Sequence, residues 1–397
     1  MIRLAWRYLW SNPLTAALSL LLLTLGFAAV TFVLRTSAQV EAGLKRDLAS
    51  IDLVVGAKGS PMQIMLAGVF HLDAPTGNIP LQTLDLLKQQ PLVAQAVPLS
   101  LGDSFRGYRI AGTTPDYLDL YGAKLGQGAM WVKPMQAVLG AEVARTSGLK
   151  IGDRFAGSHG LAEGGGAHGD HQFQVVGVLA DSVSVLDRLV LVDLASVWEV
   201  HEDHHAGQAH DEADEKREIT LALVRYRSPL AAVMLPRWVN AQDGLQSAAP
   251  ALETARLMRL VGAGTELLRG FGIVLLAAAG LSVWVALLHA VRARQGDLAM
   301  LRMLGAPASR VAALIALEAL LLAGLAAVLG LAAGHGLVAL LERLLAERQS
   351  LRLGPLGVSD AEWGVPLLAG GLALLSAAWP AWRAYRLDVT TLLQAPR

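Results

Sequence analysis

The chain has 397 residues, 54% of them hydrophobic and 17% charged, with 33 basic and 33 acidic side chains. A mean hydropathy of +0.45 excludes an ordinary soluble composition and points to a membrane protein, while zero net charge removes the basic field that nucleic-acid binding needs. The lack of cysteine excludes disulfides, thiolate zinc sites and thiol nucleophiles.

In chain order, "MIRLAWRYLWSNP" (1–13) reads as an amphipathic cytoplasmic interfacial helix. Leu4, Trp6, Tyr8, Leu9 and Trp10 suit a membrane surface, and Pro13 marks the bend into the first apolar run. That run, at 14–35, has the roughly 20 residues that a bilayer core of about 30 Å demands, so it is transmembrane helix 1. A cleavable signal peptide ending near "TSA" (36–38) is the rival, disfavoured because the apolar run is longer than a usual signal core.

From 36 to 265 the long apolar runs give way to short alternating segments broken by Gly and Pro, the pattern of a mixed α/β domain. Strands are expected at 51–57, 108–113, 136–140, 173–179, 188–194 and 219–226. Helices are expected at 81–90, 141–147 and across about 229–268, the last as one stalk running into the membrane. Seven of the ten histidines fall between His159 and His210, in loops at 158–172 and 201–215. His168, His171, His201, His204, His205 and His210, with acids nearby, suit zinc or a similar cation. No coordination shell is defined by the spacing, however, and a solvated insertion kept wet by His and acid explains the same composition.

Transmembrane helix 2 is expected at 266–290, helix 3 at 311–341 and helix 4 at 363–384, with an outer loop at 342–362 and a tail at 385–397. Basic residues set the orientation. Arg3 and Arg7, then Arg292, Arg294, Arg302 and Arg310, then Arg383, Arg386 and Arg397 flank the spans on one side, which is therefore cytoplasmic. The segment 36–265 is then exported. Glu318 and His335 lie inside helix 3. The carboxylate should face protein, as a polar tie to the cytoplasmic element or to a partner, or else snorkel to the headgroups. His335, between Gly334 and Gly336, reads as a close-packing residue more readily than a proton relay.

The cytoplasmic segment 291–310 contains "QGDLAMLRMLGAP", a short amphipathic helix stopped by Gly305 and Pro307. Nothing in the chain supplies catalysis. "GAKGS" (56–60) lacks the spacing of a phosphate-binding loop, "HEDHH" departs from the zincin motif, and no nucleophile elbow occurs.

One span, a large exported domain and three further spans with a basic "LRMLGAP" element between the first two of these resemble the permeases of the MacB/FtsX/LolC group of ABC transporters, the type VII or mechanotransmission class. "VLGAEVARTSGLKIGDRF" (138–155), "FQVVGVL" (173–179) and "PAWRAYRLDVTTLLQ" (380–394) are similar to further parts of that group, and "DLVVGAKGSPMQIMLAGVFHLDAPTGNIPL" (52–81) looks like the signature of one branch. The histidine loops are not part of the general pattern.

The resemblance implies an α-helical membrane domain with four transmembrane helices and a large mixed α/β extracytoplasmic domain inserted between helices 1 and 2. It implies a permease subunit that moves its exported domain when a separate cytoplasmic ATPase, carrying the ATP and Mg, closes. A second permease copy or paralogue, membrane lipid and an exported substrate- or metal-binding protein are the further partners. In the coupling helix it implies that Leu298, Leu301 and Leu304 enter a groove on the ATPase, flanked by Asp297, Arg302 and Gly305. The substrate stays open among a lipoprotein or lipid, a peptide or siderophore, and a metal. A signalling or scaffold protein that regulates an envelope partner is the alternative, and a membrane-anchored metalloenzyme a third.

Overall fold

The computed structural model describes residues 1–48, 50–159, 167–202, 217–346 and 360–386. They form two compact units, one from residues 1–40 and 260–397, the other from residues 41–259.

The first unit contains the membrane helices. After α1 (Ile2–Leu9), α2 (Pro13–Leu48) carries the first span and continues as helix well past the last residue of the apolar run. The other long apolar helices are α9 (Pro250–Ala293), α11 (Ala308–Ala346) and α12 (Gly364–Tyr385), with the short α10 (Gln295–Met303) between α9 and α11. Four of these helices are long and apolar enough to cross a membrane among the described residues.

Their packing relies on small residues, because lipid supplies no hydrophobic drive for helices to associate and close approach has to do so. A Cβ on Gly330 of α11 would stand 2.5 Å from the Phe27 Cβ and 3.2 Å from the Thr24 carbonyl of α2; one on Gly334 would stand 2.7 Å from the Thr31 Cβ. Ala279, Ala319, Ala323, Ala326, Ala369 and Ala373 fill the rest of the seam around Leu23 and Phe27. The Ser376 hydroxyl donates to the Gly280 carbonyl at 3.0 Å, a polar tie between α12 and α9.

The second unit is α/β. Between α2 and α9 the chain forms β1 (Leu53–Ala57), α3 (Pro61–Gly68), β2 (Ile79–Pro80), α4 (Gln82–Lys88), β3 (Val93–Phe105), β4 (Tyr108–Thr113), α5 (Asp116–Tyr121), β5 (Leu125–Gly128), β6 (Gln136–Leu139), α6 (Ala141–Ser147), β7 (Arg154–His159), β8 (Ala167–Leu179), β9 (Leu189–Asp193), α7 (Leu194–Glu202), β10 (Glu218–Ile219), β11 (Leu221–Tyr226), α8 (Ala231–Asn240) and β12 (Leu245–Ala248). The main sheet has the order β12-β1-β11-β3-β4-β9-β6-β8-β5, with β7 bridging β3 and β8. The β4–β9 and β6–β8 pairs are parallel and the remaining pairs antiparallel. One core gathers Leu53, Leu87, Ala222 and Leu235; the other is built on Phe105, Phe155 and Phe173 with Val190 and Val192.

The expected helix over 229–268 is two helices with a strand between them. Gly244 takes φ +77°, a conformation that releases the chain from α8 at little steric cost. Residues 245–248 then pair with β1 at the sheet edge, and Pro250 opens α9, where its missing N–H costs nothing. From Pro250 onward the chain is one helix, α9, to Ala293.

The segment 52–81 is a structural clasp. The Ser60 hydroxyl caps α3 by accepting from Gln63 N at 3.4 Å, the Thr76 hydroxyl donates to the Ala57 carbonyl at 2.8 Å, and Arg109 donates to the Asp73 carbonyl at 2.9 Å. Lys58 of "GAKGS" stands exposed in a turn whose backbone N–H bonds Gly244 O.

Candidate functional site

Helix α10 is a compact element with a defined stop. The Gly305 N–H bonds Arg302 O at 3.1 Å and the Ala306 N–H bonds Leu301 O at 3.1 Å. With Gly305 at φ +92°, this is the left-handed glycine cap that satisfies the last carbonyls of a helix. The cap turns the chain toward Pro307 and α11.

The helix faces differ from the sequence expectation. Leu298 is 3% exposed and packs into the core of its own membrane unit, and half-buried Leu301 lies against the same core. Both therefore point inward. The outward apolar residues are Met300, Met303 and Leu304, 58%, 54% and 80% exposed, with Asp297 exposed beside them and Arg302 half-buried. Their i, i+3, i+4 spacing is the stripe that a helix lays into a partner's groove, and two methionines make it an adaptable one. Leu304 faces outward as the resemblance implied, whereas Leu298 and Leu301, implied to face the partner with it, are turned inward, because the side on which the short helix rests is set by a tertiary contact.

That contact is Arg294, which caps the start of α10 in sequence. Its Nη1 lies 3.4 Å from Glu318 Oε1 of α11, and Nη2 donates to the Tyr8 carbonyl and the Ser11 hydroxyl at the end of α1. The guanidinium carbon also stands 4.4 Å from the centre of the Tyr8 ring, within cation–π range. The Arg294 and Glu318 side chains are only 13% and 6% exposed. Burial, reinforced by the Asp297 carboxylate, lifts the Tyr8 phenol above its usual pKa. One arginine thus joins α1, the root of α10 and α11. Glu318 faces protein, tying α11 to the start of α10. In the sequence Arg294 had stood out only as a flanking charge.

A second buried cluster involves His335. Its Nε2 lies 2.9 Å from Glu362 Oε2, and Arg35 Nη1 donates to Glu362 Oε1 at 2.9 Å. Gly334 makes the close packing expected of this region, while His335 itself is a polar partner. Neither Arg35 nor Glu362 stood out in the sequence, one reading as the last residue of a span and the other as the last of an outer loop.

Of the histidines, His171 is half-buried in β8; His168 lies in β8 and His201 in α7. His204, His205 and His210 fall outside the described residues. Among the described residues no three His, Asp or Glu side chains come together as a metal-binding group.

The profile of the MacB-like periplasmic core domain matches residues 16–233, and that of the FtsX-like permease C-terminal domain matches residues 269–389. The chain belongs to the MacB/FtsX permease family. No curated protein sequence matches it significantly. Among solved structures it is similar to the periplasmic region of MacB from Actinobacillus actinomycetemcomitans, at 14% identity and a TM-score of 0.35 over 53% of this chain and 94% of that one. It is also similar to the extracellular domain of the noncanonic ABC-type transporter YknZ from Gram-positive bacteria, at 13% and 0.30 over 50% and 98%. A domain of a putative permease protein from Porphyromonas gingivalis matches at 17% and 0.29 over 51% and 88%.

As a MacB/FtsX permease, the chain is a multi-span membrane protein with its large α/β unit outside the cytoplasm, inserted between the first two spans. It is a permease domain and not a nucleotide-hydrolysing one. Helix α10, between the second and third spans, is then cytoplasmic. In this permease the two buried polar clusters therefore lie toward opposite ends of the membrane unit.

Proposed function

We propose that this permease is driven by a separate cytoplasmic ABC ATPase, that α10 is where the ATPase pushes, and that the resulting movement works the extracytoplasmic domain on a substrate of the envelope. The carrying observation is the free apolar stripe of Met300, Met303 and Leu304 on a helix whose root is held by Arg294 to Glu318 and Tyr8. A flexible loop would absorb a push. A capped helix anchored to a span passes it on. A second permease chain completes the assembly, since one coupling helix engages one ATPase subunit and these ATPases close as pairs. The zinc reading of the histidine tracts rests on composition and forms no part of this function.

The test is co-purification of the full-length permease with its ATPase, using Met303→Asp and Leu304→Asp. Each charge should reduce ATPase recovery at least tenfold while leaving the amount of folded permease unchanged. Undiminished recovery with both variants refutes α10 as the coupling site.

A further inference from the structure

Glu318 and His335 stand on the same helix, 17 residues apart, which at 1.5 Å per residue is about 26 Å along α11. Each sits in a buried ionic cluster. The inner one receives α10 through Arg294. The outer one joins α11 to Glu362, in the turn that opens α12, and to Arg35 of α2. Resting on the coupling role of α10, we infer that Arg35, His335 and Glu362 are positioning residues that form an outer clamp, through which an axial or rotational movement of α11 is handed to α2.

The surfaces between the two clusters explain why a clamp is needed. Gly330 and Gly334 bring α11 against α2 at backbone distance, and Ala326 and Ala327 continue the smooth stretch. Around them the contact is apolar, Leu23 and Phe27 of α2 lying in one core with Leu322 and Ala323 of α11, and such non-directional packing specifies register less sharply than a buried ion pair does. The Arg35 and Glu362 side chains are 3% and 1% exposed, and such a pair resists separation because each charge left alone would remain desolvated. The clamp therefore fixes the register of α11 against α2. Helix α2 continues without a break beyond Arg35, so what moves at Arg35 is passed on along continuous helix. His335, 25% exposed, bonds the second carboxylate oxygen and holds Glu362 in the orientation that Arg35 requires.

The test uses the full-length permease reconstituted with its ATPase and spin-labelled at Lys45 on the outer part of α2 and Leu344 on the outer part of α11. The distance between labels is read in the ADP and the ATP-trapped states. With wild-type clamp residues the distance distribution should shift between states. Glu362→Gln should abolish at least half of that shift while ATPase recovery and turnover stay within twofold. Arg35→Glu with Glu362→Arg should restore it, and His335→Gln, the milder variant, should reduce it part-way. A full shift in Glu362→Gln or no recovery in the swap overturns the clamp. A loss of ATPase recovery parallel to the loss of shift reduces the cluster to a general stabiliser and also overturns it. Met303→Asp and Leu304→Asp separate the two ideas: if both leave ATPase recovery intact, the coupling role fails, whatever the clamp variants do.

Discussion

Replacing Arg294 by Met leaves the Glu318 carboxylate buried with its cation gone. At the observed 3.4 Å and an effective dielectric near 20, the gross attraction removed is about 5 kcal/mol. Much of that offsets the cost of desolvating both groups, so the pair contributes far less in net terms. Cutting it from one side is nevertheless expensive, about 3 to 5 kcal/mol when a buried charge is stranded, and the donors to the Tyr8 carbonyl and Ser11 hydroxyl are lost as well. Glu318→Gln should cost less, about 1 to 2 kcal/mol, because the amide still accepts from Arg294. Arg294→Met combined with Glu318→Met should be more stable than Arg294→Met alone, giving a coupling energy of about 2 kcal/mol. Unfolding free energies of the full-length wild type, Arg294→Met, Glu318→Met and the double variant in bicelles, measured by steric trapping, supply the four corners of the cycle. Additive losses, with a coupling energy below about 0.5 kcal/mol, refute the pair as the anchor of α10.

Gly330→Leu should separate α11 from α2, because even one carbon at that position would meet the Phe27 Cβ at 2.5 Å and α2 backbone at 3.2 Å; the overpacking should cost about 1 to 3 kcal/mol, read by the same unfolding assay. Gly305→Val should shorten α10 by forcing a branched side chain into φ +92°, lowering ATPase recovery without unfolding the spans. In the extracytoplasmic unit, His71 has its Nε2 3.0 Å from the Tyr117 hydroxyl, and burial, aided by Arg109 and Arg188, pushes its pKa down to about 3. Since the unfolded chain takes up that proton near pH 6.5 and the folded one does not, stability is complete above pH 6.5 and falls as pH drops toward 3. At pH 5.5 the loss should be about 1.4 kcal/mol, absent in His71→Gln and measured as the pH dependence of the denaturation midpoint. A His71 ring that titrates near 6.5 by NMR would contradict the burial argument.

Elements whose signal is local were legible in the sequence. The apolar runs announced the spans, "YRIAGT" gave β4 at 108–113, and the glycine after "MLRML" marked where α10 stops. Elements decided at a distance were not. Strand β3 spans Val93–Phe105 through Pro98 and Gly102, residues that read as breakers, and is held by β11, β4 and β7. Strand β12 exists because β1 offers it an edge. The functional clusters follow the same logic: Arg294 meets Tyr8 across 286 positions and Arg35 meets Glu362 across 327, separations that no spacing rule covers. An arginine ending an apolar run, as Arg35 does, is a signal that could have been pursued, since a charge at that depth calls for a partner.

The most direct test of the relay is photocrosslinking in living cells from a diazirine amino acid placed singly at Leu304, 80% exposed on α10, and at Val132, 89% exposed in the outer unit. The probe at 304 should capture a nucleotide-binding subunit from the cytosol, more strongly when ATP hydrolysis is blocked, and the probe at 132 should never do so. Capture of no nucleotide-binding protein at 304, or of the same exported protein from both positions, would contradict the account.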